Sequence, residues 1–350
     1  MKMEKLKIGI WGIGRAGWGM HRKEIAMFPE MLEITGCCDI IPERMERLCA
    51  ELPGCKAYAD IDEMIASEDV DVITIATRSP DHVSGAVRAL EGGKYVFIEK
   101  PIGLNYEEVK ILAAASAAHP GKLFCRQNRR FEAAFQHVKE IIDSGVLGEV
   151  YHIKLNRLGY TQRWDWQTFT EYGGGQLNNW GPHLIDHALQ FINAPVKSVW
   201  SDMRKIAASG DAEDHVKAII RGENDVTVDI EISGGAALPG QVYAVYGTRG
   251  ALTAMDEKTL KVRYLDLEKT LPAPAADRET PDMESSFSSG KNLVWIEKDI
   301  PVAPESGATV NDIYKHLYLA IKEGVEFPVR NEEAFEVARV TQMIRDAANR

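Results

Sequence analysis

The first third of the chain alternates between two hydrophobic periods. Compact apolar runs at Leu6–Trp11, Leu32–Cys38, Val70–Ile75, Tyr95–Ile98 and Leu123–Cys125 each have the length of one buried strand. Between them, apolar residues recur at helical spacing. One such stretch carries Trp18, Met20, Ile25, Met27 and Phe28 before Pro29, and a second runs from Pro42 to Leu52, where Pro53-Gly54 stops it. Ile61 to Ser67 reads as a short amphipathic turn, and Pro80 to Leu90 as a helix closed by Gly92-Gly93. Asn105 is placed to cap a helix over Tyr106 to Ala118, ended by His119-Pro120-Gly121. This β-α alternation predicts a parallel, doubly wound α/β sheet.

After Ala133 the period changes. A helix to Ser144 leads into an alternating run over Glu149 to Leu158. Val196–Ile206, Glu213–Arg221, Val226–Ile232 and Gln241–Tyr246 then read as consecutive strands with short turns. That pattern predicts a second, α+β layer built on a large, mostly antiparallel open sheet. Ala218, Ile219 and Ile220 stand in succession, an interruption that a solvated face would not favour, so a partner subunit is expected on one side. Residues 267–292, rich in Pro, Ser, Ala and charge, read as a loop or insertion. Helices over Thr309–Glu323 and Glu332–Ala348 close the chain. Two domains are expected, 1–127 and 128–350, and 350 residues are too many for one typical core. The closing helices are candidates to pack back on the first domain.

Composition narrows the function classes. Hydrophobic content of 45% with 27% charged residues is ordinary for a globular protein. A net charge of −11 argues against nucleic acid or an anionic membrane as main partner. No apolar run approaches the ~20 residues of a membrane span, and Met1-Lys2-Met3-Glu4-Lys5 leads straight into the first strand, leaving no room for the apolar core of a signal peptide. Five cysteines, mostly within strand or helix patterns, suit buried free thiols and a cytoplasmic location. A zinc site from Cys37, Cys38, Cys49 and Cys55 lacks the usual local spacing.

Two motifs carry the chemistry. Gly12-Ile13-Gly14-Arg15-Ala16-Gly17 lies between the first strand and the first helix, the context in which such a glycine series cradles a pyrophosphate. Gly12 suits the tight turn, Gly14 close approach of the phosphates, and Gly17 close packing of helix on strand. Asp39 ends the second strand, twenty-two residues after Gly17. A carboxylate there accepts from a ribose 2′-OH and repels a 2′-phosphate, which favours NAD over NADP. Glu99-Lys100-Pro101 puts a lysine at the carboxyl end of another strand of the same sheet, where such sheets bind ligands.

The second half contributes Gly173-Gly174-Gly175 and, further on, Gly181-Pro182-His183. Proline at a helix start places His183 in the first turn, where the macrodipole disfavours the imidazolium and leaves a base. Lys100 and His183 are therefore candidates for handling the hydroxyl proton of an alcohol dehydrogenation. A solvated lysine and a core or capping histidine are the plain alternatives. So is a metal site on His183 and His187 with Asp186 between them, although a third ligand would have to come from elsewhere, nothing else in the segment looking like one. Arg130, Arg163, Trp164, Asp165 and Trp166 are candidates for the pocket wall, with Trp164 and Trp166 equally readable as packing residues.

Glu99-Lys100-Pro101, the glycine-histidine-aspartate segment, Ala76-Thr77 with His82, Arg129-Arg130-Phe131 with Gly145-Val146-Leu147-Gly148-Glu149, and the closing Asn331-Glu332-Glu333-Ala334-Phe335 together resemble the glucose–fructose oxidoreductase, inositol dehydrogenase and rhizopine-catabolism (GFO/IDH/MocA) family, essentially end to end. The resemblance implies a Rossmann domain followed by a domain whose open sheet forms an oligomer interface, hence a homodimer or homotetramer. It implies that Lys100 is the active-site lysine and His183 the acid/base histidine. Ala76, Thr77, His82, Glu99 and Lys100 then join the glycine motif and Asp39 around NAD. Arg130, Arg163, Trp166, Asn179, Lys100 and His183 would face a sugar or polyol. The family often has an aspartate four residues before the histidine; here Asn179 stands there, and an amide cannot titrate. No resident metal is implied. Two other functions stay open on the sequence: a lyase or glycosidase that oxidises transiently and recycles NAD, and a non-catalytic NAD-binding regulator.

Overall fold

The computed structural model describes residues 4–272, 278, 280, 283 and 293–348. Six strands form the first sheet: β1 (Leu6–Trp11), β2 (Leu32–Cys38), β3 (Lys56–Ala57), β4 (Val72–Ile75), β5 (Tyr95–Ile98) and β6 (Leu123–Cys125). They pair in parallel in the order β3-β2-β1-β4-β5-β6. Such an order reverses between β1 and β4, which opens a crevice at the carboxyl ends of the strands. Helices α1 (Arg22–Ala26), α2 (Pro42–Glu51), α3 (Ile61–Ala66), α4 (His82–Glu91) and α5 (Tyr106–Ala118) make the crossovers. Every residue of β4 is buried, which is why the run reads as continuously apolar rather than alternating. Asn105 caps α5 by accepting a hydrogen bond from the Glu108 N–H at 3.0 Å.

The second sheet holds eight strands: β7 (Val150–Leu158), β8 (Val196–Arg204), β9 (His215–Gly222), β10 (Thr227–Ser233), β11 (Tyr243–Gly247), β12 (Gly250–Ala254), β13 (Thr259–Leu265) and β14 (Trp295–Pro301). Their order is β14-β13-β12-β11-β7-β10-β9-β8, antiparallel except between β7 and β10. One face buries Ile153, Leu155, Ala218, Ile220, Val228 and Ile230 against α6 (Ala133–Asp143), α8 (Gly181–Ile192) and α10 (Asn331–Ala348), with the single turn α7 (Gln176–Asn179) leading into α8.

Three particulars differ from the sequence reading. Strands β12 to β14 extend the sheet past Tyr246, where the reading ended it. Alternation in β9 is regular: Ala218 and Ile220 point to the core, and Ile219 alone of the three faces outward. Its outer-face neighbours include an ion cluster in which Lys217 reaches Asp229 at 2.7 Å and Glu231 at 3.0 Å. On the same face Ile219 stands opposite Trp200 of β8, which is exposed, so apolar and charged groups share it. Third, Thr309–Glu323 is not one uniform helix. Thr309 and Asp312 form a capping box on a short 3₁₀ turn, α9 covers Ile313–Tyr318, and a wider π turn ends at Glu323. The Pro- and Ser-rich stretch, including Ser285 to Gly290, lies largely outside the described residues.

Two hydrophobic clusters result. The first gathers residues from Leu6 to Phe131 and, from the far end of the chain, Ile313, Tyr314, Leu317, Phe327, Val329 and Ala334. The second runs from Ala134 to Val262 and takes Val337, Val340 and Ile344 from α10. Among the described residues, no helix is long and apolar enough to cross a membrane.

Candidate active site

The glycine motif forms a tight turn against β4. Gly12 has φ of +94°, and a Cβ there would lie 2.6 Å from the Ala76 carbonyl and the Thr77 nitrogen, so only glycine fits. A Cβ on Gly17 would meet the Gly12 oxygen at 2.1 Å, whereas one on Gly14 would meet nothing nearer than Arg44 Nη1 at 3.7 Å. Two glycines are thus used up in packing, and the third leaves backbone open to a ligand at the head of the first helix. That is the shape a dinucleotide pyrophosphate requires, and the residues fit the group.

Asp39 closes this turn from β2. Its Oδ2 accepts from the Ile13 N–H at 2.5 Å and its Oδ1 from the Ile41 N–H at 2.9 Å. Arg44 Nη1 stands 3.4 Å from both carboxylate oxygens, a neighbour that sequence reading missed. Arg15, largely exposed, reaches across to Asp165 and Gln167 of the second layer at 3.5 and 3.3 Å.

Lys100 stands at the end of β5, and its peptide bond to Pro101 is cis. Its Nζ donates to the Asn179 carbonyl at 2.9 Å, which ties the first layer to the turn before α8. Burial lowers its pKa to about 8 against the pull of Glu99, with Arg126, Arg129 and Arg163 adding to the fall. His183, buried in the first turn of α8, is pushed well below the ordinary imidazole range by burial and then by the Lys100 and Arg129 cations. Among the described residues its Nδ1 has no hydrogen-bond partner. Trp180 meets it edge-on at 5.9 Å and is itself covered by the guanidinium of Arg129 at 4.2 Å. A cationic lysine and a neutral histidine therefore stand close enough to influence each other's charge. An alcohol placed between a hydrogen-bond donor and a base is what that pair can handle.

Asn179 lies beside a cleft of about 330 Å³ whose wall includes Arg163, Gln167, Gly175 and Glu213. Its side-chain amide makes no hydrogen bond among the described residues. Arg163 is paired with Asp165 at 2.8 Å and with Gln167. Trp166 is half-buried in the same loop, and Trp164 is 85% exposed.

Other candidates have structural partners of their own. Arg130 grips Asp186 with two bonds of 2.8 and 2.6 Å and binds Glu333 at 2.5 Å, so it joins α8 to α10 instead of facing the cleft. Asp186 is thereby committed, while His187 bonds the Arg129 carbonyl at 2.9 Å and stacks on Phe135 at 3.9 Å. The grouping of Asp186 with the two histidines does not converge on a metal. Glu99 lies beneath the site rather than in it. Its Oε1 takes Arg126 at 2.8 Å and His21 at 3.1 Å, and its Oε2 accepts from the Lys100 backbone N–H at 3.0 Å. Burial alone would raise this carboxyl; Arg126, His21 and Lys100 outweigh it and hold it well below the usual carboxylate range. His82 is likewise a strut, with Nδ1 2.7 Å from the Pro101 carbonyl and Nε2 3.3 Å from that of Thr77.

Sequence reasoning missed the support under Lys100. Arg126, 1% exposed, also binds Glu24 at 2.6 Å, and His21 Nδ1 lies 2.7 Å from the Tyr314 hydroxyl, which meets Thr74 at 3.0 Å. A charged residue after an apolar strand, as at Arg126, was the one available signal.

Residues 6–126 match the model of an oxidoreductase family with an NAD-binding Rossmann fold, and 135–253 match the GFO/IDH/MocA C-terminal domain. The chain is 22% identical to a scyllo-inositol 2-dehydrogenase (NADP(+)) of Bacillus subtilis over 99% of its own length and 95% of that protein's. It is 25% identical to a myo-inositol 2-dehydrogenase of Thermotoga maritima, covering 75% of this chain and 78% of the other. Among solved structures, an NAD-binding protein from Listeria innocua superposes with a TM-score of 0.82 at 26% identity, over 99% of this chain and 95% of that one.

Proposed function

The chain belongs to the GFO/IDH/MocA family of oxidoreductases, and from that premise we propose that it transfers a hydride between a secondary alcohol of a sugar, glycoside or cyclic polyol and a nicotinamide cofactor. The reading rests on one observation above all: Lys100, at the carboxyl end of β5, bonds the Asn179 carbonyl one turn ahead of His183. The inositol dehydrogenases among the similar proteins, the unbonded Asn179 amide and the half-buried Trp166 support a polyhydroxylated substrate. The Gly12–Gly17 turn with Asp39, Ala76 and Thr77 would hold the dinucleotide. When bound, the nicotinamide supplies the hydride acceptor.

The chain's own groups do the rest. Lys100 as ammonium keeps one N–H on Asn179 and turns others to the substrate hydroxyl, stabilising alkoxide character as it develops. His183, kept neutral, takes the hydroxyl proton on its ring nitrogen. Assays for NADH formation across cyclitols, aldoses and glycosides test the proposal; turnover without net NADH would point to transient oxidation and elimination instead. We also read 1–127 as the cofactor domain and 128–350 as the substrate domain of a homodimer or homotetramer.

These protonation states set a pH profile. Lys100 must be charged, and its lowered pKa means the ammonium is lost as pH rises through about 8. His183 must be neutral and stays so to well below 6.5. We expect kcat/KM for alcohol oxidation to hold level on the acid side and to fall above about pH 8. A rate rising through pH 8 would make the Lys100 amine the base.

For the cofactor, Asp39 and Arg44 act in opposite directions. The carboxylate repels a 2′-phosphate by on the order of a few kcal/mol at intermediate dielectric, and we expect NAD to be preferred. In Asp39→Ser, Arg44 is released to meet that phosphate, and the NADP/NAD ratio of kcat/KM should rise about tenfold or more. Adding Arg44→Ala should cancel the gain. A wild-type protein binding NADP tenfold more tightly than NAD would overturn the assignment.

A further inference from the structure

Spacing rules for zinc knuckles apply to ligands brought together by one turn, and by that rule the cysteines of the first domain make no site. The fold brings three of them together by another route. Cys37 is in β2, Cys49 in the last turn of α2, and Cys55 in the turn that returns the chain to β3. Their sulfurs all lie within 4.8 Å of one another, and Cys37 Sγ is 3.8 Å from Cys49 Sγ. Cys38, the adjacent strand position, projects from the opposite face of the sheet and stays outside the group.

We propose that Cys37, Cys49 and Cys55 form a binding site for one thiophilic d¹⁰ metal ion held by three thiolates. The argument is geometric. Metal–sulfur bonds of about 2.3 Å around one ion put neighbouring sulfurs roughly 3.8–4.0 Å apart. One pair already has that separation, and the third sulfur needs to move by less than about 1 Å. All three thiols are free, two are buried, and half-exposed Cys49 offers the way in from solvent. Among the described residues, no carboxylate or imidazole joins the three sulfurs, so the donor set is soft and selects zinc- or copper(I)-like ions over magnesium or calcium. Binding of a divalent ion by three thiols releases three protons and leaves one net negative charge. A water reaching the ion past Cys49 completes a four-coordinate site.

Its location couples the site to the cofactor turn. The Cys38 carbonyl accepts the Gly12 N–H at 2.8 Å, and Asp39 follows. An ion here would pin α2 and the β3 turn to the strand that carries both.

Cadmium(II) is the probe, because thiolate ligands give it a charge-transfer absorption in the ultraviolet. Titrating the full-length reduced protein should give a band that saturates at one ion per chain, with a rise in Tm. Zinc(II) and copper(I), added in competition, identify the preferred ion by displacing the band. Each of Cys37→Ser, Cys49→Ser and Cys55→Ser should lose it, while Cys38→Ser and Cys125→Ser keep it. In the unmutated protein, one equivalent of cadmium should protect Cys49, the site thiol that solvent reaches, from maleimide alkylation, so the result does not depend on the variants folding. No saturating band, or a band that survives loss of Cys49, would overturn the proposal. The dehydrogenase reading stands or falls separately, on NADH formation.

Discussion

Lys100→Ala and His183→Ala should each lower kcat by about 10²-fold or more on the best substrate, the loss expected when a positioned acid/base group is removed. The two losses have different causes. Without the lysine, the hydroxyl loses its donor, and the bond to the Asn179 carbonyl that joins the two layers disappears as well. Without the histidine, the proton has no buried neutral acceptor. Dinucleotide affinity should be nearly unchanged in the His183 variant, because that ring stands on α8, away from the glycine turn. The double variant should lose less than the product of the single losses, since the groups act as a unit. Steady-state kinetics with a binding titration of the dinucleotide checks all three statements. Near-normal turnover in His183→Ala would make this histidine structural and remove the mechanism.

The largest effect on stability is expected at Arg126. Its guanidinium sits between Glu24 and Glu99 with 1% exposure, so Arg126→Met strands the Glu24 carboxylate and leaves Glu99 with His21 and Lys100 alone. Breaking a buried ion pair by removing one partner costs about 3–5 kcal/mol, because the remaining charge has no solvent and no counterion. The pH dependence gives a second readout. In the wild type, the Glu99 pKa is held down, so its contribution is present above the ordinary carboxylate range and is lost only as pH falls through the lower folded value. With Arg126 gone, burial pushes the Glu99 carboxyl up from its wild-type position, and its protonated form gains ground. The gap in Tm between variant and wild type should therefore be wide at pH 8 and narrow toward pH 5. An equal gap at both would show that lost packing, not charge, governs the site.

How much of this was legible in the sequence depended on how local each signal is. The first sheet was readable because buried parallel strands are continuous apolar runs and each crossover helix has a periodic face. Asp39 could be placed because it ends a strand at a fixed distance from the glycine turn. In β13, Leu260 and Val262 alternate with Lys261 and Arg263, a pattern open to reading, whereas β14 is mostly exposed and carries Glu297, Lys298 and Asp299, as outermost strands do. The buried cluster was illegible for a different reason: Glu24 and Arg126 are 102 residues apart, and no local rule pairs them. Arg130 illustrates the opposite error. Its resemblance to a pocket residue was clear, but which way a guanidinium turns is decided by Asp186 and Glu333, which arrive from other helices. The three cysteines were set aside on their spacing because a strand, a helix end and a turn, rather than one loop, bring them together.

One consequence of the chain's path concerns synthesis. The core around β1, β4 and β5 is completed by Tyr314, Leu317, Phe327 and Val329, and the Tyr314 hydroxyl stands against His21 and Thr74. On the ribosome, residues 6–131 emerge before these side chains, which follow only when residues 313–329 have been made. Phe97 and Phe124, which pack edge-on against Phe327, wait meanwhile with an apolar flank uncovered. A fragment ending near residue 131 should therefore lack part of its core and expose that apolar flank to aggregation until residues 313–329 join it.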